Sequence, residues 1–345
     1  MKRLALYLTQ PDARLVRDSR GLAVSIDGKV SDKWPTADVS RVLVFGNAQV
    51  TTQALALLFS VGASVSYFSS TGRYRGQLVS PESGNVFVRL AQHRRHSDPT
   101  FRLDLAKQLV TEKLRAGRRL VVRYAQNHSD AAPQLDPTVG RLDYALSQVD
   151  GVSDLDALLG LEGSAAASYF LALGHMIRPP FAFSRRSQHP GRDPPNALLN
   201  LGYTLLSIEI AGRLESVGFD PRIGYYHGIR YGRQSLALDL LEAHRVDVVD
   251  RLLLSVLNRR MFAPEDFANG GDQLGVRLTP PALRRFLGLY ESALGEPATT
   301  DGTPSARQRI EAQVSDLRRA VLSGDPLSPD RDDSENPAAA IESEV

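Results

Sequence analysis

Glu162, His227, Asp239 and Glu242 are the side chains of this sequence whose types and spacing could do chemistry together. His227 follows a Tyr225-Tyr226 pair. Asp239 and Glu242 lie in the stretch LALDLLEA, where Leu236, Ala237, Leu238, Leu240, Leu241 and Ala243 predict a helix apolar on nearly every side, and so buried. Spaced i,i+3, the two acids share a face of it. Carboxylates in such a place are costly unless a cation holds them. A divalent metal with His227 as third ligand would answer that cost. Oxygen donors with one nitrogen and no sulfur suit Mn²⁺ or Mg²⁺ better than structural Zn²⁺. The plainer alternative makes His227 a satisfied structural histidine and Glu162 an acid complementing a helix N-terminus. Spacing alone leaves the two readings side by side.

The elements that must position these residues change character along the chain. Residues 1–78 carry period-two segments: Leu4–Leu8, then 15–17 and 22–26 about the turn Asp18-Ser19-Arg20-Gly21, with Asp27-Gly28 as a further hairpin signal. Arg41–Phe45 and Ser64–Phe68 are further strands, with a helix from Thr51 or Thr52 to Gly62 between them. From about 85 the period is helical, with two helices to 127 parted near Ser97-Asp98-Pro99. An amphipathic stretch around Leu142–Val149 follows. Glu162 falls at the mouth of a helix whose next turn is nearly all Ala, which would let a backbone or ligand come close. Asp193-Pro194-Pro195-Asn196 starts a long helix ending at Gly218, with Asn196 and Asn200 as its polar exceptions. Ser235 is placed to cap the helix of Asp239. Later helices are expected at Val248–Asn258, Pro281–Leu294 and Ser305–Leu322. The fold class is therefore α+β: a β-rich dimerisation or scaffold domain (1–78), a larger all-α catalytic domain (79–322), and a disordered acidic tail (323–345).

Composition narrows the chemistry. The chain has no cysteine, which excludes disulfides, zinc ribbons and thiol catalysis. Its net charge of +2 is uneven: from Ser323 onward seven acids face one base, a net −6 that leaves +8 on the rest. A basic body points to a polyanionic partner. The bases are 36 Arg and five Lys. They are densest from Arg89 to Arg123, a run that includes Arg115, Arg118 and Arg119 and invites phosphate contact. The Pro-rich loop 178–192 adds Arg185 and Arg186 without any acid. The opening MKRLALYLTQP has an apolar run too short for a secretory signal, and no other run approaches a membrane span, so no membrane partner and a cytoplasmic protein are expected. Walker A, GxGxxG, HExxH and GxSxG patterns do not occur.

Four segments together resemble the CRISPR-associated endonuclease/integrase family, the catalytic subunit of the spacer-acquisition complex. They are Leu161-Glu162-Gly163 through Tyr169-Phe170; Arg185-Arg186 through Pro194-Pro195-Asn196-Ala197-Leu198-Leu199 to Gly202-Tyr203; His227 with Gly232-Arg233-Gln234-Ser235-Leu236; and Asp239-Leu240-Leu241-Glu242. Val44-Phe45-Gly46 matches a family turn, and the opening LYLTQPDARL looks closest to the subtype C branch of type I systems. Coverage is essentially residues 1–320. The resemblance implies that Glu162, His227 and Glu242 ligate Mn²⁺ or Mg²⁺, with Asp239 as a nearby auxiliary acid. It places Arg185 and Asn196 on the nucleic-acid path, and Arg186, Arg233, Arg115, Arg118 and Arg119 are further candidate contacts. It also implies a homodimer that joins captured double-stranded DNA to a repeat array by transesterification, with a small dimeric companion protein. The rival readings are a structure-specific DNA repair nuclease and a catalytically silent DNA-binding architectural protein. The chain departs from the pattern at Leu114-Arg115-Ala116-Gly117, where relatives often carry an Ile-Asn pair, and in its acidic tail.

Overall fold

The computed structural model describes residues 4–80, 86–188, 190–271, 275–295 and 303–323. The tail expected to be disordered lies, beyond Ser323, outside the described residues. Strands β1 (Leu4–Leu8), β5 (Val39–Phe45), β7 (Ser64–Phe68) and β8 (Tyr74–Leu78) form one sheet in the order β1-β5-β7-β8. The first three run parallel and β8 closes antiparallel on β7. Strands β2 (Arg14–Asp18), β3 (Gly21–Ile26), β4 (Lys29–Trp34) and β6 (Gln49–Val50) form the second, ordered β4-β3-β2-β6. Helix α1 (Thr52–Ser60) makes the crossover to β7, capped by Thr51, whose hydroxyl accepts from Ala54 N at 3.3 Å.

Side-chain alternation lets the first sheet serve two cores. Val42 and Val44 of β5 face Leu6, Leu8, Leu15, Leu22, Leu58 and Val65. Their neighbours Leu43 and Phe45 point the other way and join Phe68 in the core of the helical part. A polar seam adds to that contact: Arg41 of β5 pairs with buried Glu209, and Tyr7 of β1 donates to Glu291 at 2.8 Å. The sheet is thus a wall of the larger core.

The helices are α2 (Val86–His96), α3 (Pro99–Asn127), α4 (Ala132–Gln148), α5 (Leu155–Met176), α6 (Pro194–Ser216), α7 (Ser235–Arg245), α8 (Arg251–Asn258), α9 (Pro280–Gly295) and α10 (Ala306–Leu322). Aspartates start three of them: Asp98, Asp154 and Asp193 accept first-turn N–H groups of α3, α5 and α6, with proline opening α3 and α6. Several details depart from the sequence expectations. Because Asp154 caps α5, Glu162 stands two turns inside the helix, away from its positive end. Ser235 does not cap α7; its hydroxyl donates to Gly228 O at 3.0 Å. Between α7 and α8 the chain keeps coiling as a π-helical segment, Val246–Asp250. A short hairpin, β9 (Phe267–Asn269) with β10 (Val276–Leu278), interrupts the helical part, and β8 was also unexpected. Helix α5 is long and apolar enough to cross a membrane by length and composition, contrary to the expectation from the sequence. Here it packs on α3 and α4 with Leu158, Ala165, Tyr169, Ala172 and Leu173 buried.

Candidate active site

Helix α7 packs against α3 and α6 and carries its two acids into the interior: Asp239 is 0 % and Glu242 8 % exposed. The structure satisfies them in different ways. Asp239 meets only hydrogen-bond donors. Its Oδ2 accepts from Tyr225 N at 2.6 Å and Tyr226 N at 3.0 Å; its Oδ1 accepts from His227 N at 2.8 Å and lies 2.7 Å from His227 Nδ1. A carboxylate so placed sets the tautomer, with the proton on Nδ1 and the Nε2 lone pair left to face a ligand. Gly224 makes the close approach possible, since a Cβ there would come within 2.8 Å of Asp239 Oδ2.

The opposite side of that loop is held by α2 and α3. Gln92, fully buried, donates to Asp220 O at 2.8 Å and Ile223 O at 2.9 Å and accepts from Asp220 N at 2.9 Å. His96 Nδ1 lies 2.7 Å from Gly224 O, and Arg102 Nε donates to Tyr225 O at 2.9 Å. The backbone leading to His227 is therefore tied on both flanks, which lowers the entropy cost of fixing the ring for a ligand.

Glu162 arrives from α5 and Glu242 from α7, and both carboxylates close on one point. Lys113 of α3 holds that point: its ammonium pairs with Glu162 Oε1 and lies 2.5 Å from Glu242 Oε2. Burial pushes the Glu242 carboxyl up, but Lys113 and Arg245 outweigh it and hold it at about 2. Arg245 Nη1 is 3.5 Å from Glu242 Oε2, and its guanidinium lies over the Tyr203 ring at 4.3 Å and the Phe170 ring at 5.3 Å. Its Nη2 donates to Tyr203 Oη at 2.7 Å, and Tyr203 donates on to Asp250, which also accepts from Tyr169 at 2.7 Å. Burial raises the Asp250 carboxyl despite these partners. Among the described residues the buried Tyr226 hydroxyl has no hydrogen-bond partner, and it lies within the electrostatic reach of Glu162 and Glu242.

Of the expected set, Glu162 and Glu242 meet directly through Lys113, and His227 lies within electrostatic reach of Glu242. Among the described residues no three His, Asp or Glu side chains close into a metal-binding group. The donor chemistry nevertheless fits a hard divalent cation: two carboxylates converge on one cationic centre, an imidazole nitrogen stays free of internal bonds, and a buried hydroxyl lacks a partner. Asp239 does not share in it as a ligand, because both its oxygens are spent on the loop and on His227.

The expected nucleic-acid contacts divide. Asn196 is fully buried; its amide accepts from Ser187 N and Arg186 and donates to Arg185 O and Asp193, so it anchors the loop instead of lining a path. Arg186 is drawn into the same knot and lies over Tyr203 at 5.3 Å. Several bases of the Arg89–Arg123 run have partners within the chain: Arg89 donates to Gly218 O, Arg102 to Tyr225 O, Lys107 to Asp150 O, and Arg118 pairs with Asp143 at the surface. On α3 the exposed bases Arg115, Arg119 and Arg123 form a stripe spaced i,i+4,i+8, with Arg119 also 3.6 Å from Asp247, and Arg89 of α2 is exposed as well. Arg185 is exposed and Arg233 half-buried beside the site. Sequence reasoning missed Lys113, Arg245 and the roles of Gln92 and Tyr226. One signal was available for Lys113: it is one of five lysines among 36 arginines, and an ammonium is the more compact charge.

Comparison with known proteins adds a family. Residues 6–292 match the family described as CRISPR associated protein Cas1. A CRISPR-associated endonuclease Cas1 of Thermus thermophilus is 37 % identical over 294 residues, covering 84 % of this chain and 85 % of that protein. One of Rhodospirillum rubrum is 35 % identical over 304 residues, covering 84 % and 87 %. Among solved structures, a Cas6-RT-Cas1–Cas2 complex contains a match with TM-score 0.80 and 27 % identity, over 93 % of this chain and 35 % of that one. A casposase bound to its integration product aligns with TM-score 0.77 at 21 % identity, over 99 % of this chain and 98 % of that one; this likeness is one of fold.

Proposed function

This chain belongs to the Cas1 family of CRISPR-associated proteins, and we propose that it is a divalent-metal-dependent DNA endonuclease/integrase of CRISPR adaptation. The observation that carries this reading is the convergence of Glu162 and Glu242 from two helices on one cationic position, beside a histidine oriented by Asp239. Glu162, Glu242 and His227 Nε2 would hold the ion. Bound there, Mn²⁺ or Mg²⁺ supplies Lewis-acid polarisation of a scissile phosphate and a countercharge for its transition state. Asp239 keeps the proton on Nδ1 so that Nε2 stays a donor atom. Arg245, stacked and bonded to Tyr203, keeps Glu242 in place. Arg233, at the rim, offers a cation to the DNA backbone, and the exposed arginines of α3 together with Arg185 extend that contact.

The nucleophile comes from outside the protein. The 3′-OH of a captured DNA fragment attacks a phosphorus at the repeat end; one P–O bond forms as another breaks and the displaced 3′ oxygen leaves. The count of phosphodiesters is unchanged, so no energy-supplying cofactor enters. With water as nucleophile the same site would cleave DNA. The partners that fit are double-stranded DNA, a second copy of the chain through the β-rich part, and a small dimeric companion of the Cas2 kind, all in the cytoplasm. Support for strand transfer and for the companion comes from what the similar structures contain, an integration product in one and Cas2 in another. The test is Mn²⁺-dependent strand transfer with the companion present. Glu162→Ala and His227→Ala should each abolish transfer while retaining DNA binding, and undiminished transfer in both would refute the assignment.

A further inference from the structure

Two cations touch Glu242, and they are held very differently. Arg245 is locked: it lies over two aromatic rings, bonds Tyr203, and through it reaches Asp250. Among the described residues, Lys113 forms ion pairs with the two site carboxylates alone. Its unbranched stem lines a small apolar cavity with Leu114, Gly117, Ala165, Tyr169 and Phe170, a cavity that Arg245 also borders. The Lys113 side chain is 13 % exposed and that of Arg245 12 %, so the two differ in what holds them and not in exposure. A flexible four-carbon stem with a point charge suits a group that changes partners, whereas a stacked guanidinium suits one that stays.

The charges say what the exchange would be. Glu162 and Glu242 carry two negative charges at one point; Lys113 pairs with both, and Arg245 stands farther off at 3.5 Å from Glu242. A divalent cation at the same oxygens neutralises both and leaves the ammonium without a partner at the rim of a site that receives a phosphate. The orphaned Tyr226 hydroxyl, 2 % exposed and facing the same two carboxylates electrostatically, also lacks a partner that such a ligand set would supply.

We propose that Lys113 is an exchangeable counter-cation: it competes with the divalent metal for Glu162 and Glu242 and, once displaced, turns its ammonium to the DNA phosphate. This rests on the metal-dependent reading above. Lys113 then sets metal affinity as well as phosphate contact, and the two functions separate in a variant that keeps the stem and loses the charge.

The experiment compares wild type with Lys113→Met and Glu162→Gln by calorimetric titration with Mn²⁺ and by thermal unfolding with and without Mn²⁺. Lys113→Met should bind Mn²⁺ about tenfold tighter, because its competitor is gone. It should melt lower than wild type without Mn²⁺ and recover with it, since the metal replaces the lost partner of two buried acids. Strand transfer at saturating Mn²⁺ should still be reduced. Equal or weaker Mn²⁺ binding by Lys113→Met overturns the proposal and makes Lys113 a fixed clamp. If instead Glu162→Gln binds Mn²⁺ as wild type does, the metal reading itself fails, which is a distinguishable result. Should Lys113→Met not fold, wild type carries the test: with only five lysines, reductive methylation and peptide mapping can follow Lys113 directly. Its labelling should rise several-fold on adding Mg²⁺, and labelling that stays constant or falls overturns the exchange.

Discussion

Asp239→Asn isolates the orienting role of the most buried acid. The carboxylate has two acceptor oxygens and four donors: Tyr225 N and Tyr226 N on one, His227 N and His227 Nδ1 on the other. An asparagine must turn its amide nitrogen toward one pair. Facing the tyrosines, it would leave two backbone N–H groups without an acceptor. Facing His227, it strands one backbone N–H and can donate to Nδ1, provided the imidazole moves its proton to Nε2. One stranded buried donor costs about 1–3 kcal/mol and two cost about twice that, so the second arrangement wins. With the lost charge assistance, the fold should be weakened by about 2–4 kcal/mol. The consequence for function is larger than for stability, because Nε2 then carries a hydrogen where a lone pair was needed. Losing the hydrogen bond that orients a ligand histidine lowers metal affinity by about 10–100-fold. Urea denaturation gives the first number and Mn²⁺ titration calorimetry the second, and strand transfer should fall nearly as far as in His227→Ala. An Asp239→Asn protein that is destabilised but binds Mn²⁺ like wild type would refute the tautomer reasoning and leave Asp239 as a loop clip only.

Two further outcomes follow from the electrostatics. Burial raises the Glu242 carboxyl, but Lys113 and Arg245 bring it to about 2, below its usual 4.5. Its contribution to stability is therefore fully present above about pH 4.5 and is lost as pH falls toward 2. The urea midpoint of Glu242→Gln should accordingly fall less steeply than that of wild type over that window, and parallel curves would refute the pairing. On α3, Arg115 and Arg123 are exposed, whereas Arg118 pairs with Asp143 and Arg119 with Asp247. If both meet duplex phosphates, Arg115→Gln with Arg123→Gln should lower the slope of log affinity against log salt by about 2, at roughly 0.9 per phosphate. An unchanged slope in a fluorescence-anisotropy titration would remove this stripe from the DNA path.

Local rules with one dominant cause were legible in the sequence. Asp98-Pro99 and Asp193-Pro194 mark helix starts because an Asx side chain and a proline ring each satisfy the first turn in their own residues, and both helices begin there. The apolar LALDLLEA stretch announced a buried helix with two costly acids, and Asp239 and Glu242 are indeed buried. Which cation answered that cost was not legible. Lys113 lies far from either glutamate in the chain and looked like one base in a run of ten, so only the packing of α3 against α5 and α7 reveals its role. The same blindness made that run look like a phosphate face, since a sequence cannot show that Arg89, Arg102 and Lys107 end on carbonyl oxygens. Asn196 misled for a related reason: a polar side chain in an apolar helix is as well explained by a loop that needs four hydrogen bonds as by a ligand.

The π-helical segment explains how three buried acids in one continuous coil can be kept apart chemically. In an α-helix, residues five apart stand about 140° from one another, and Asp250 would face away from Arg245. The i→i+5 bonding of Val246–Asp250 widens the turn and narrows that separation. Tyr203 can then bridge Arg245 to Asp250 with one hydroxyl. Arg245 is thereby shared: Asp250 fixes its far side and Glu242 takes a looser contact at 3.5 Å on its near side. Had Glu242 alone neutralised that guanidinium, the carboxylate would have little left for a metal. Because Asp250 holds Arg245, and Asp239 is consumed by its loop, Lys113 is the nearer of the two cations that Glu242 meets. A local change of helical pitch thus leaves the acid that must exchange partners with the weaker-held of its two cations.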